Sequence, residues 1–97
     1  MNVKILIADR LPSHVVPRLE AIGATVLVEP ELKDDALAVA LVEQDPQVLV
    51  VRSTKVRAQH FSSGQNLSLV VRAGAGTNTI DLVAASARAI TVANCPG

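Results

Sequence analysis

Ninety-seven residues, of which 49% are apolar and 19% charged, describe one globular domain with a modest core, since a chain this short buries only about 60–65% of its unfolded surface. That composition excludes a disordered segment, and no apolar run is long enough for a transmembrane helix. The net charge is zero, the single Cys95 cannot form an internal disulfide and fits a cytoplasmic protein, and the isolated His14 and His60 offer no metal cluster.

Taken in order, Val3 to Ala8 reads as a strand buried on both faces, with Asp9 at its carboxyl end. Ser13 to Ile22 is a helix with Pro17 in its first turn, stopped by Gly23. Thr25 to Val28 is a second strand. Lys33 to Glu43 is a helix with Asp34 or Asp35 near its start and Leu37, Ala40 and Leu41 on one face, ended by Pro46. Val48 to Val51 is the third strand, Val56 to Ser63 a weak helix, and Leu67 to Val71 the fourth strand. Ile80 to Ala89 is an Ala-rich helix with Asp81 at its positive end, and Ile90 to Val92 is a fifth strand. Strands and helices alternate throughout, the rhythm of a doubly wound α/β fold with a flavodoxin-like parallel sheet of about five strands.

One phrase occurs twice. Leu49-Val50-Val51-Arg52-Ser53 and Leu69-Val70-Val71-Arg72-Ala73 are apolar runs that end at an arginine and pass into small residues. The segment between them suits a crossover helix, so the two strands are expected to be parallel, with Arg52 and Arg72 at the same sheet edge. In open α/β sheets the ligand crevice lies outside the carboxyl ends of the strands. Two guanidinium groups there point to a small anionic ligand, phosphate or carboxylate. The charge distribution agrees: residues 1–49 carry a balance of −4 and residues 50–97 a balance of +4. Nucleic acid is disfavoured, because Phe61 is the only aromatic residue and the cations form no stripe.

The polar loop Arg52-Ser53-Thr54-Lys55 could hold such an anion, although the same spacing suits solvated surface charges. Gly74 and Gly76 mark a tight turn after the fourth strand. They do not complete a dinucleotide fingerprint, because Thr79 stands where a third glycine belongs and no acidic residue follows at the required distance. The narrower reading is a backbone nest for one anionic group beside Arg72. Asp9 suggests the acidic pocket of a receiver domain, but Arg52 occupies the place of the phospho-accepting aspartate. His14 and His60 read as surface or capping residues, and Cys95 as a small buried one.

Three segments carry a resemblance. Val50-Val51-Arg52-Ser53-Thr54-Lys55-Val56, Val71-Arg72-Ala73-Gly74-Ala75-Gly76-Thr77-Asn78-Thr79-Ile80-Asp81-Leu82 and Val92-Ala93-Asn94-Cys95-Pro96-Gly97 are similar to the amino-terminal part of D-2-hydroxyacid dehydrogenases, in the branch that oxidises 3-phosphoglycerate. The resemblance implies that residues 1–97 are the substrate-binding lobe of a two-lobe, cytoplasmic, homo-oligomeric oxidoreductase whose Rossmann lobe is absent from this chain. It further implies NAD as cofactor, bound mainly by the missing lobe, and the first step of serine synthesis as the reaction. Position by position, it places Arg52, Ser53, Thr54, Arg72, Ala73, Gly74 and Asn94 against the substrate and Ala75 near the nicotinamide. The catalytic Arg, Glu and His of the family have no counterpart in this chain, so the chain alone is expected to be inactive. This chain also lacks one residue that the family commonly has between Ser53 and Thr54, and it has Ala75 where Thr is common. The rival reading is a free-standing flavodoxin-like module that binds a small anion or a partner without catalysis.

Overall fold

A computed structural model describes residues 3–73 and 79–94. Five four-residue strands, β1 (Lys4–Ile7), β2 (Thr25–Val28), β3 (Val48–Val51), β4 (Leu69–Arg72) and β5 (Thr91–Asn94), alternate with four helices, α1 (Val15–Ala21), α2 (Asp34–Gln44), α3 (Ala58–Ser63) and α4 (Leu82–Ala87). All strand pairs are parallel, and the order is β2-β1-β3-β4-β5. This is the flavodoxin-like arrangement read from the alternation of elements. Among the described residues no helix is long and apolar enough to cross a membrane.

A parallel sheet needs cover on both faces, and the side-chain alternation supplies an apolar set to each. Leu6, Ala8, Leu49, Val51 and Val70 join Leu37 and Leu41 of α2, Phe61 of α3 and Ala85 of α4 in the larger core. Ile5, Ile7 and Val50 face the other way, against Val15, Val16 and Leu19 of α1.

The element ends differ from the sequence expectation where backbone groups find other partners. Val56 does not open α3. It forms an isolated parallel bridge with Ile80, its N–H donating to the Thr79 carbonyl and its carbonyl accepting from the Asp81 N–H. That bridge delays α3 to Ala58 and keeps Ile80 out of α4. Asp81 then caps α4, its side chain accepting from the Ala84 N–H at 3.0 Å. The helix ends early because Ala89 takes a left-handed φ of 56°, and Ile90 closes onto the Ala85 carbonyl instead of starting β5. Gly23 stops α1 as expected, at a φ of 95° that favours glycine. Pro17 sits in the first turn of α1, where a missing N–H leaves no helical bond unmade.

The repeated phrase is not aligned with itself in the sheet. Val48 pairs with Leu69, Leu49 with Val70, Val50 with Val71 and Val51 with Arg72, a slip of one residue between the two copies. A one-residue slip exchanges the faces on which equivalent side chains lie. Leu49 therefore enters the larger core fully buried, while its twin Leu69 stays half-exposed on the opposite face.

Candidate functional site

The carboxyl ends of β1, β3, β4 and β5 gather most of the residues singled out in the sequence. The loop after β3 is tied down by a residue of β1's own edge. One carboxylate oxygen of Asp9 accepts from three successive backbone N–H groups, those of Arg52 (2.7 Å), Ser53 (3.0 Å) and Thr54 (2.9 Å). The Thr54 hydroxyl donates to the Ala8 carbonyl at 3.2 Å. Such converging N–H groups form a nest for negative charge, and here the chain fills it with its own carboxylate. Burial opposes ionisation of Asp9, but the N–H donors of Arg52, Thr54 and Ser53, with the Thr54 side chain, outweigh it and hold the pKa below the usual 3.8.

A depressed folded pKa stabilises the protein fully above the unfolded value, and the contribution fades as pH falls through the folded one. The stability difference between the wild-type chain and Asp9→Asn should therefore be larger at about pH 7 than at about pH 3, below the ordinary aspartate range. Urea unfolding at the two pH values measures it, and a difference that grew on acidification would contradict the assignment.

Arg52 and Ser53 are exposed on this loop and Thr54 is half-buried. With their N–H groups engaged by Asp9, the Arg52 guanidinium and the Ser53 hydroxyl are what the loop offers outward. Arg72, the last residue of β4, is in register with Asn94 of β5, so the two side chains share one face of the sheet. Ala73 donates its N–H to the Val51 carbonyl at 2.8 Å, which locks the start of the next loop beside the end of β3. Gly74, Ala75 and Gly76 lie outside the described residues.

The two arginines share the sheet edge that the sequence predicts, one residue apart in register. Arg72 stands level with Val51 and follows the parity of Val70, whereas Arg52 is one residue beyond β3. Both leave at the carboxyl edge, Arg72 half-buried as the last residue of β4 and Arg52 exposed on the loop after β3.

Next to the Asp9 clamp, where the strand order reverses at β1, a cavity of about 400 Å³ lies between the loops after β2 and β3. Lys33, Lys55 and Arg57 line it together with Asp9, Glu31 and Asp34. Glu31 is paired with Arg10 at 2.8 Å, both side chains at least 80% exposed, a pair worth less than about 1 kcal/mol. Behind it, His60 is fully buried, not on the surface as one sequence reading had it. Its Nδ1 accepts from the Arg57 N–H at 2.8 Å, so the ring proton is on Nε2, which donates to the Asp34 carbonyl at 2.9 Å. His60 thus caps α3 and welds its start to that of α2.

Asp9 and His60 are the two polar anchors that sequence reasoning missed. The signal for Asp9 was present: an acid ending β1 must lie beside the end of β3 in a 2-1-3 order, and Ser53 and Thr54 are small enough for their N–H groups to converge.

A family model described as "D-isomer specific 2-hydroxyacid dehydrogenase, catalytic domain" matches residues 5–97. The chain belongs to this family. Among its curated relatives, D-3-phosphoglycerate dehydrogenase of Archaeoglobus fulgidus is 34% identical over 98 residues, covering 98% of this chain and 18% of that protein. Hydroxypyruvate reductase of Thermotoga maritima is 45% identical over 67 residues, covering 68% of this chain and 21% of the relative. The fold of this dehydrogenase-family chain superposes on NAD+-bound 3-phosphoglycerate dehydrogenase of Entamoeba histolytica with a TM-score of 0.86 at 26% identity, over 97% of this chain and 33% of that one. The chain thus spans about a fifth of the length of its curated relatives.

Proposed function

We propose that residues 1–97 form the substrate-binding lobe of a cytoplasmic, homo-oligomeric, NAD-dependent dehydrogenase that oxidises 3-phospho-D-glycerate to the 2-oxo acid in serine biosynthesis. The observation that carries this reading is the match to D-3-phosphoglycerate dehydrogenase over 98% of this chain. Supporting it, the loop Arg52–Thr54 and the strand ends at Arg72 and Asn94 meet at the carboxyl edge of the sheet, where such folds bind ligands. In this reading Arg52, Ser53, Thr54, Arg72, Ala73, Gly74 and Asn94 line the substrate cleft and Ala75 approaches the nicotinamide.

The lobe does not fit a whole dinucleotide. Its first strand-to-helix turn, Ala8-Asp9-Arg10-Leu11-Pro12, contains no glycine, so no bare backbone is available there to a pyrophosphate. NAD, held chiefly by a second lobe, supplies the hydride acceptor; the substrate C2–H bond gives up its hydride and the C2 hydroxyl its proton, leaving the oxo acid. No acid or base for that proton is assigned to this chain. Both ring nitrogens of His60 are engaged by backbone groups, which leaves the side chain no role in proton transfer.

The identity to hydroxypyruvate reductase favours a second reading, in which the same cleft takes a related D-2-hydroxy acid without a phosphate. The test compares the 97-residue chain with the two-lobe protein that contains it, each offered 3-phospho-D-glycerate or D-glycerate with NAD. NADH should form only with the two-lobe protein, and faster with the phosphorylated acid. A preference for D-glycerate would select the second reading. Turnover by the chain alone would overturn the lobe assignment, and no turnover of any D-2-hydroxy acid by the two-lobe protein would favour a non-catalytic binding module.

A further inference from the structure

We propose that Asp9 is a positioning residue: its carboxylate fills the anion-binding nest of the Arg52–Thr54 loop, so that the loop meets its ligand with side chains and not with backbone N–H groups. The inference deepens the substrate-lobe reading and rests on it for the identity of the ligand. It stands on geometry that does not depend on that reading. Three consecutive N–H groups converge on a single oxygen at 2.7–3.0 Å, and the Thr54 hydroxyl fastens the same loop to the strand that carries Asp9.

Without such a plug, successive N–H groups aimed at one point bind whatever small anion arrives. A carboxylate or phosphate of the substrate would then be drawn to the backbone, one side chain's length short of the position that Arg52 and Ser53 present. With the plug in place, the loop is rigid and its backbone donors are unavailable. Arg52 is then projected from a fixed base, which lowers the ordering cost of gripping a charged group. Asp9 touches no substrate in this scheme; it acts through the loop.

Two measurements separate this from a merely structural role. In the two-lobe protein, Asp9→Ala should raise KM for 3-phospho-D-glycerate about tenfold, the worth of one well-placed charge-assisted bond, with kcat and KM for NAD changed less than about twofold. Added formate, a carboxylate small enough to enter the emptied nest, should restore KM, whereas sodium chloride at the same ionic strength should not. The shape-preserving Asp9→Asn guards against loss of fold and should fall between wild type and Asp9→Ala. In the 97-residue chain, the Ser53 and Thr54 amide resonances should move upfield in Asp9→Ala and return on titration with formate.

If the amides respond to formate but neither Asp9→Ala nor Arg52→Ala changes KM, the nest stands and the reading of the loop as substrate-binding fails. If Arg52→Ala raises KM while Asp9→Ala leaves both KM and the loop amides unchanged, the positioning role of Asp9 is wrong.

Discussion

His60→Leu should destabilise the chain by about 2–4 kcal/mol, while His60→Gln should recover a substantial part of that loss. Leucine fills the fully buried site but leaves the Arg57 N–H and the Asp34 carbonyl without the ring that bonds both. Each orphaned backbone group costs about 1–3 kcal/mol, less where water reaches it. Glutamine carries an acceptor and a donor on one amide and can satisfy both partners, though from a floppier stem. A domain of this length has a total stability of about 5–15 kcal/mol, so the leucine variant should lose a large share of it. The urea midpoint should fall by roughly 1–3 M at an unchanged m-value. Equal midpoints for the Leu and Gln variants would show that volume and not hydrogen bonding holds this junction. Because Asp34 and Arg57 both line the cavity beside the Asp9 clamp, loosening the junction should also widen the gap between the loops after β2 and β3.

His60 also shows where sequence reasoning stopped. The alternation of elements, the strand runs and the helix stops are local, and so Val48–Val51, Thr25–Val28 and the place of Asp81 at the positive end of α4 were legible. The flavodoxin-like order was expected from the alternation of strands and helices, and the sheet has it. Bonds spanning the fold leave no such trace. His60 reaches Asp34 across 26 positions with nothing around it to name that partner, whereas the bond of Asp9 to Arg52, across 43, is legible only once the 2-1-3 strand order is in hand. The register between β3 and β4 likewise leaves no local trace. Two near-identical strands invite an in-phase alignment, but the loop ties at Gln47, whose carbonyl accepts from both Ser68 and Leu69, start β4 one residue out of step. The anion-site residues were picked correctly as edge residues, since that depends only on where apolar runs end. Which residue of the neighbouring strand each stands beside depends on the register, which no local pattern encodes.

That slip leads to the second large effect. In the two-lobe protein, Arg52→Ala and Arg72→Ala should each raise KM for 3-phospho-D-glycerate by about 10- to 150-fold, corresponding to the roughly 1.5–3 kcal/mol of a charge-assisted hydrogen bond. Two arginines acting as a pincer on one anionic group would show strong coupling, so that the second substitution adds little after the first. The register argues otherwise: Arg72 shares its face with Asn94, and Arg52 stands one residue beyond Val51, on the exposed loop. Groups carried by different elements, one on an exposed loop and one in a strand, and contacting different ends of a ligand behave independently. The substrate proposed here has two anionic ends, a carboxylate and a phosphate. The double variant should therefore multiply the single effects, with a coupling below about 0.5 kcal/mol. D-Glycerate, which lacks the phosphate, should be sensitive to only one of the two arginines. Strong coupling in the cycle, or equal sensitivity of both substrates to both substitutions, would mean that the guanidinium groups converge on a single group despite the slip.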